Sequence, residues 1–280
     1  MEADPEVFWK PISGFSGPLW DGQVSIDERG LRRTPAPDYP SKRLLCFGDS
    51  ITFGFGVSDD ESYPAALGTL LRARGIEVRN AGVTGYTSYQ TRRWLRRQLT
   101  FQRVDHVSLL IGWNDGTARP ITDAEFAERI AFSSGRADET LRNLAIYRLM
   151  KSVWLRRGLP APGEQAVPKI ARVPLTHYSA NLEAFVKEVR DAGATPHFIA
   201  LPSRLIPGGK PAHTEYSAVL ASVAQRLSVP LYDVGVLAGG SPKIATTGNA
   251  AYFLDSLHMT PEGNRVMASL LAQQMDSVLR

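Results

Sequence analysis

Two short segments of the sequence hold residues that could together carry out nucleophilic chemistry. Ser50 follows Gly48-Asp49 and precedes a glycine-rich stretch at 53–56. Serine is a weak nucleophile unless a base takes its proton, and a histidine suits that role near neutral pH. Asp255 and His258 are close enough in sequence for one turn to direct both side chains to the same point. The chain therefore contains a candidate nucleophile, a candidate base and a carboxylate to orient that base.

Two further residues could donate hydrogen bonds to a developing oxyanion. The Gly82 N–H and the Asn114 side-chain amide would join the N–H of Ser50 in this role. Ser50, Gly82 and Asn114 are separated by equal intervals of 32 residues, about one βαβ step each. Taken singly, Ser50 is also typical of a helix N-cap, and Gly82 and Asn114 are typical of turns. Their occurrence at successive strand ends favours a common site.

The elements that would position these residues alternate between strand and helix. Strands are predicted at 44–47, 77–80, 104–111, 195–201 and 230–234, and helices at 63–74, 87–99, 178–192, 215–227 and 260–279. Such alternation predicts an α/β fold with a five-stranded parallel sheet covered by helices on both faces. Ligands of such sheets bind outside the carboxyl ends of the strands, where the candidate residues lie.

Two segments depart from this alternation. Residues 1–40 are rich in glycine, proline and aromatic residues, and we predict an irregular N-terminal wrap before the domain at 41–280. Residues 117–175 show no strand pattern, only helical patterns at 123–131 and 138–156 and a Pro/Gly-rich link at 158–168. Because this segment leaves the sheet edge that carries the candidate site, we predict a helical insertion or lid over it.

Composition excludes several classes of protein. The 280 residues are 43% apolar and 21% charged, as in globular domains rather than disordered or fibrous chains. The single cysteine, Cys46, excludes an intramolecular disulfide and any multi-cysteine zinc site. No apolar run is long enough to span a bilayer.

Neither the charge nor the N-terminus of the chain indicates a nucleic-acid partner or an export signal. The net charge is only +4, and the five arginines within 92–103 predict an amphipathic helix with a solvated basic face, so no nucleic-acid partner is expected. The first ten residues lack the basic and apolar regions of a signal peptide, which predicts a cytoplasmic location. The sequence indicates no particular oligomeric state.

Four segments resemble the sequence blocks of the GDSL/SGNH hydrolase superfamily. They occur in the family's order across residues 41–280 and read Gly48-Asp49-Ser50-Ile51, Asn80-Ala81-Gly82, Gly112-Trp113-Asn114-Asp115 and Asp255-Ser256-Leu257-His258. The resemblance implies a flavodoxin-like three-layer α/β/α sandwich, no metal and no cofactor. It implies acyl chemistry through a serine ester, with Ser50, Gly82, Asn114 and His258 as signature residues and Asp255 as the partner of the histidine.

The residues and the resemblance together predict a serine esterase acting on a small-molecule, carbohydrate or lipid ester. An acyltransferase that passes the acyl group to an alcohol or amine is the alternative, favoured if the lid excludes water. A non-catalytic binding module is less favoured because the serine, aspartate and histidine are all present. Trp113 and Asp49 are predicted to contact the substrate. Phe53, Phe55 and Tyr86 line an apolar pocket or belong to the core.

Overall fold

The computed structural model describes residues 1–134, 169–200, 214–234, 251–255 and 257–279. Within these ranges the strands are β1 Glu2–Asp4, β2 Phe8–Lys10, β3 Ser16–Leu19, β4 Gly22–Ser25, β5 Lys42–Gly48, β6 Ile76–Gly82, β7 His106–Leu110, β8 Ala118–Arg119, β9 Ile170–Ala171, β10 Thr195–Ala200 and β11 Leu231–Asp233. The α-helices are α1 Ser50–Phe53, α2 Tyr63–Leu71, α3 Ser88–Phe101, α4 Asp123–Ser134, α5 Leu175–Asp191, α6 Thr214–Arg226 and α7 Pro261–Met275. Short 3₁₀ turns lie at Asp59–Glu61 and Arg72–Arg74.

The centre of the fold is a five-stranded sheet with the order β11-β10-β7-β5-β6. Every neighbouring pair is parallel, and in register Leu44 of β5 lies between Val78 of β6 and His106 of β7. All five residues of β7 are buried, as expected for a parallel strand covered on both faces.

Alternating residues of the strands face two separate apolar clusters. Leu45 and Phe47 of β5 join a cluster with buried side chains of α3, α5 and α6, whereas Leu44 and Cys46 join a second cluster with α2 and α7. This period-two alternation divides the helices between the two faces of the sheet. The predicted three-layer α/β/α sandwich is confirmed.

All ten predicted strands and helices of the alternating region are present, with ends that agree with the prediction to within four residues. Gly75 has φ +69° and ends the 3₁₀ turn that follows α2, and Pro261 is the first residue of α7. The predicted helix at 123–131 corresponds to α4. The predicted helix at 138–156 and the link at 158–168 lie outside the described residues.

Two expectations of irregular structure need correction. The N-terminal wrap contains two antiparallel hairpins, β1–β2 and β3–β4. Segment 117–175, predicted to lack strands, contributes β8 and β9, which form a two-residue antiparallel ladder. Strands of two to four residues carry too few side chains to show the period-two pattern by which longer strands are recognised. The division into a wrap, a domain and a lid stays a prediction.

The predicted basic face of α3 is largely neutralised by acidic side chains. Arg92 and Arg96 both donate to Glu188 Oε1 of α5, and Arg97 pairs with Asp4 and Glu6 of the N-terminal segment. Arg92, Arg96 and Arg97 therefore join α3 to two other parts of the fold. None of the described helices is both long and apolar enough to cross a bilayer.

Candidate active site

Ser50 lies where β5 turns sharply into the short helix α1. Gly48 is required there, because a Cβ atom would collide with Thr52 Oγ1 and with Leu110 O of the neighbouring strand. The Asp49 carboxylate caps the helix by accepting the Ile51 N–H at 2.9 Å. Gly54, with φ +85°, ends the helix in the left-handed region. This tight turn brings the buried Ser50 to the carboxyl end of the central strand.

Asp255 and His258 lie in a tight loop just before α7. The loop is closed by a bridge between Phe253 and Met259 and by the Leu254 N–H donating to His258 O at 2.8 Å. Asp255 Oδ1 accepts the backbone N–H groups of Leu257 and His258, both at 2.7 Å. These two bonds fix the carboxylate within the loop, so that its second oxygen can face the imidazole.

The structure brings Ser50, His258 and Asp255 into one hydrogen-bonded row. His258 Nε2 lies 2.8 Å from Ser50 Oγ, and His258 Nδ1 lies 2.7 Å from Asp255 Oδ2. Partial burial raises the pKa of Asp255, but hydrogen bonds from the His258 N–H, the His258 imidazole and the Leu257 N–H outweigh this and leave it below the ordinary value. Asp255 is therefore ionised at neutral pH, which favours a proton on Nδ1 and leaves Nε2 free to accept the Ser50 proton.

The other described histidines do not reach this row. His106 and His197 are buried in the sheet. His106 Nδ1 and His197 Nε2 form a hydrogen bond of 3.1 Å. Burial and the nearby His106 lower the pKa of His197 to about 4, so this imidazole is neutral at ordinary pH. His197 is therefore a core residue of the sheet.

Asn114 reaches the same edge of the sheet from the turn after β7. Its Nδ2 donates to Tyr86 O at 3.0 Å and lies 3.4 Å from Asp49 Oδ2. Asp49 is fully buried, and burial raises its pKa to about 7 despite the N–H of Ile51. Asp49 was predicted to contact the substrate, but its carboxylate is occupied by the helix cap and by Asn114. The structure therefore indicates that Asp49 positions other site residues.

Gly82 does not present a free N–H at the site. The Gly82 N–H donates to Asn80 Oδ1 at 3.0 Å. Gly82 also pairs with Gly48 inside the sheet, because β6 continues two residues beyond its predicted end. The structure therefore does not support Gly82 as an oxyanion donor. Gly85 lies beyond the strand with φ +78°, is half-buried, and its N–H has no acceptor among the described residues. The second glycine of this turn was the signal that the sequence interpretation missed.

The aromatic residues near the site fall into two groups. Phe53 and Tyr86 are buried core residues, and the Tyr86 hydroxyl donates to Trp9 O at 2.6 Å. Phe55 is half-buried, with its ring 4.5 Å from the His258 ring at an angle of 33°. Trp113 is half-buried and packs against the apolar cluster that α2 and α7 share. Of the predicted pocket residues, Phe55 is the one with a ring against the candidate base.

The side chains of Arg32 and Asn80 donate hydrogen bonds to carbonyl groups of α1, the helix that begins at Ser50, and of the loop that follows it. The sequence analysis did not predict this role. The buried Arg32 guanidinium donates to Phe53 O, Gly54 O and Val57 O at 2.6–2.8 Å and to Asp59 Oδ1 at 3.0 Å. Asn80 Nδ2 donates to Thr52 O at 2.8 Å and to Phe53 O at 3.2 Å. Together these side chains satisfy carbonyl groups that a four-residue helix leaves without intrahelical partners.

Comparisons with known proteins identify the family of the chain. The model of the "GDSL-like Lipase/Acylhydrolase family" matches residues 46–266, most of the chain. No curated protein matches the chain.

Solved structures share the fold at low sequence identity. A structure of TesA is 17% identical with a TM-score of 0.55, covering 85% of this chain and 100% of that one. A psychrotrophic esterase EstA from Pseudoalteromonas sp., described as inhibited by monoethylphosphonate, is 17% identical with a TM-score of 0.54, covering 85% and 99%. A lipase/acylhydrolase from Enterococcus faecalis is 17% identical with a TM-score of 0.54, covering 85% and 97%.

The family match at residues 46–266 includes all four segments that carry the candidate residues. The chain belongs to the GDSL-like lipase/acylhydrolase family and is an ester hydrolase of the SGNH type.

Proposed function

We propose that the protein hydrolyses a carboxylic ester through a covalent acyl-serine at Ser50. The observation that carries this proposal is the unbroken row from Ser50 Oγ through His258 to Asp255, with contacts of 2.8 and 2.7 Å. Both distances lie within the range in which a base removes a proton from a nucleophile.

The reaction follows from the roles of these three side chains. Ser50 Oγ attacks the ester carbonyl carbon while its proton passes to His258 Nε2. The tetrahedral intermediate collapses when the bond to the alcohol oxygen breaks and His258 gives that oxygen the proton. Water, deprotonated by His258, then attacks the acyl carbon. The bond from that carbon to Ser50 Oγ breaks, His258 returns the proton to Oγ, and the acid is released. Asp255 holds the imidazole in the required tautomer and stabilises its cationic form.

Three donors would bind the oxyanion that forms at the carbonyl oxygen. One is the Ser50 N–H, which has no acceptor among the described residues. Another is the Asn114 side-chain amide, which keeps its bond to Tyr86 O and whose second hydrogen makes only a long 3.4 Å contact with Asp49 Oδ2 that the oxyanion would replace. We place the Gly85 N–H in the third position instead of Gly82. The Asn114 side-chain amide donates a hydrogen bond to the carbonyl of Tyr86, the residue after Gly85. This bond brings the Gly85 turn and the Asn114 amide side by side. Fixed donors of this kind need no reorganisation during the reaction.

The substrate class follows from the same site. We propose a small-molecule, carbohydrate or lipid ester, with Trp113 as a candidate contact and the Phe55 ring beside the His258 imidazole. Acyl transfer to an alcohol or amine depends on the predicted lid at 117–175, most of which lies outside the described residues.

Hydrolysis of p-nitrophenyl esters from acetyl to dodecanoyl tests the proposal, with wild type, Ser50→Ala and the exposed control Ser41→Ala compared side by side. We expect Ser50→Ala to lose at least 10³-fold in kcat, since the nucleophile cannot be replaced. Ser41→Ala should retain wild-type rates. Equal rates for wild type and Ser50→Ala would overturn the proposal.

A further inference from the structure

The turn of hairpin β3–β4 holds a tryptophan where glycine would be expected. Trp20 and Asp21 form the two-residue turn between Leu19 and Gly22, and Trp20 has φ +48°. Bulky side chains rarely adopt this conformation, and hairpin turns with positive φ at this position favour glycine. Strained residues of this kind cluster at functional sites, because the surrounding structure must hold them in place.

The hairpin is fixed to the loop that follows the nucleophile helix. Gly22 lies so close to Val57 O that a Cβ atom would collide with it. The Gln23 N–H donates to Ser58 Oγ at 3.2 Å, and the Ser25 N–H donates to Asp59 Oδ1 at 3.0 Å. The position of Trp20 relative to the site is therefore set by the same loop that carries Phe55.

Trp20, Phe55 and Leu254 form an apolar strip that begins at the candidate base. The Trp20 ring lies 4.7 Å from the Phe55 ring, which itself lies 4.5 Å from the His258 ring. Leu254, beside Gly56, extends the strip. Trp20 is 39% exposed and Leu254 is 49% exposed, so an apolar surface remains open to solvent directly beside the imidazole. Large exposed apolar side chains that adjoin one another mark binding sites more often than chance.

The direction of the reaction assigns this strip to one side of the substrate. The ester carbonyl oxygen must face the Ser50 N–H and Asn114, whereas the alcohol oxygen must lie within reach of His258 Nε2 to receive its proton. The alcohol portion of the ester therefore leaves along the imidazole, where the strip begins. We infer that the strip of Trp20, Phe55 and Leu254 binds the apolar part of the alcohol moiety, an aryl or long alkyl group. This inference depends on the proposed function.

Two acetate esters that differ only in the alcohol test the inference. Wild type, Trp20→Gly and the control Tyr39→Ala are compared on 1-naphthyl acetate and ethyl acetate. Glycine accepts the positive φ, so Trp20→Gly removes the ring without strain, and Tyr39 is an exposed aromatic residue outside the strip. We expect Trp20→Gly to lower kcat/KM for 1-naphthyl acetate about tenfold, mainly through KM, and to leave ethyl acetate within twofold. Tyr39→Ala should leave both unchanged.

The possible outcomes distinguish failure of the alcohol subsite from failure of Ser50-dependent hydrolysis. Equal losses on both esters, or no loss on either, would overturn the strip as an alcohol subsite while Ser50-dependent hydrolysis still stood. A loss in a p-nitrophenyl ester series that grows with acyl length would assign the strip to the acyl chain and so also overturn the inference. Hydrolysis that is unchanged by Ser50→Ala would instead overturn the proposed function.

Discussion

Replacing Arg32 with methionine is expected to destabilise the protein strongly, because its guanidinium has no access to solvent. The Arg32 side chain is 0% exposed and makes four hydrogen bonds. Methionine matches much of its volume but donates to none of these groups. The loss can therefore be estimated from the acceptors that would be left behind.

Those acceptors do not all depend equally on Arg32. Phe53 O keeps a bond from Asn80 Nδ2, and Gly54 O keeps only a long bond of 3.5 Å from the Val57 N–H. Val57 O has no other donor among the described residues. Each unsatisfied buried acceptor costs about 1–3 kcal/mol, and Asp59 also loses its cationic partner. Release of the buried charge offsets part of this, so we expect a net loss of about 3–5 kcal/mol in the free energy of unfolding.

Urea unfolding followed by tryptophan fluorescence measures this loss, with Arg33→Met as the control. Arg33 is exposed and adjacent in sequence, and its replacement should change stability by less than about 0.5 kcal/mol. We also expect Arg32→Met to lower kcat at temperatures well below its melting point, because the loop that carries Phe55 loses its support. A loss of stability below about 1 kcal/mol for Arg32→Met would refute this reasoning.

Three further predictions follow from other contacts. Asn114→Ala should lower kcat about 10²–10³-fold with little change in KM, measured on p-nitrophenyl acetate, and an unchanged kcat would remove Asn114 from the oxyanion site. Asp255→Asn should lower kcat about 10³–10⁴-fold by favouring the wrong imidazole tautomer, whereas a loss below tenfold would contradict the role of Asp255. Burial raises the pKa of Asp115 to about 7 despite hydrogen bonds from Ser88. The protonated Asp115 carboxyl therefore stabilises the fold fully below pH 4, and this stabilisation is lost as the pH rises through 7. The stability of wild type relative to Asp115→Asn should therefore fall by on the order of 3 kcal/mol between pH 4 and 8, and a pH-independent difference in urea unfolding would contradict this.

The sheet and its helices could be predicted because their signals are local. Apolar runs such as Val107–Ile111, the N1 proline of α7 and the glycine after the Arg72–Arg74 turn specify elements without reference to the rest of the chain. The hairpins of the N-terminal segment could not be predicted, because they are short and depend on non-local partners. Ser25 of β4, for example, donates its N–H to Asp59 Oδ1, a partner distant in sequence.

The candidate site was predictable in its residue types and less so in its details. The row of Ser50, His258 and Asp255 follows from residue chemistry together with the position of strand ends. The end of β6 does not, because its last residues are ordered by pairing with β5, and this pairing places Gly82 inside the sheet. The neutralisation of Arg97 depends likewise on Asp4, which is distant in sequence but adjacent in space.

Covalent labelling by an alkyl fluorophosphonate tests the central claim most directly, since the label attaches only to an activated nucleophile and does not require the natural substrate. Intact-protein mass spectrometry counts the adducts, and peptide mapping locates them. The account predicts a single adduct on Ser50, present in Ser41→Ala, absent in Ser50→Ala and formed far more slowly in Asp255→Asn. An unlabelled wild-type protein, or an adduct that persists in Ser50→Ala, would contradict it.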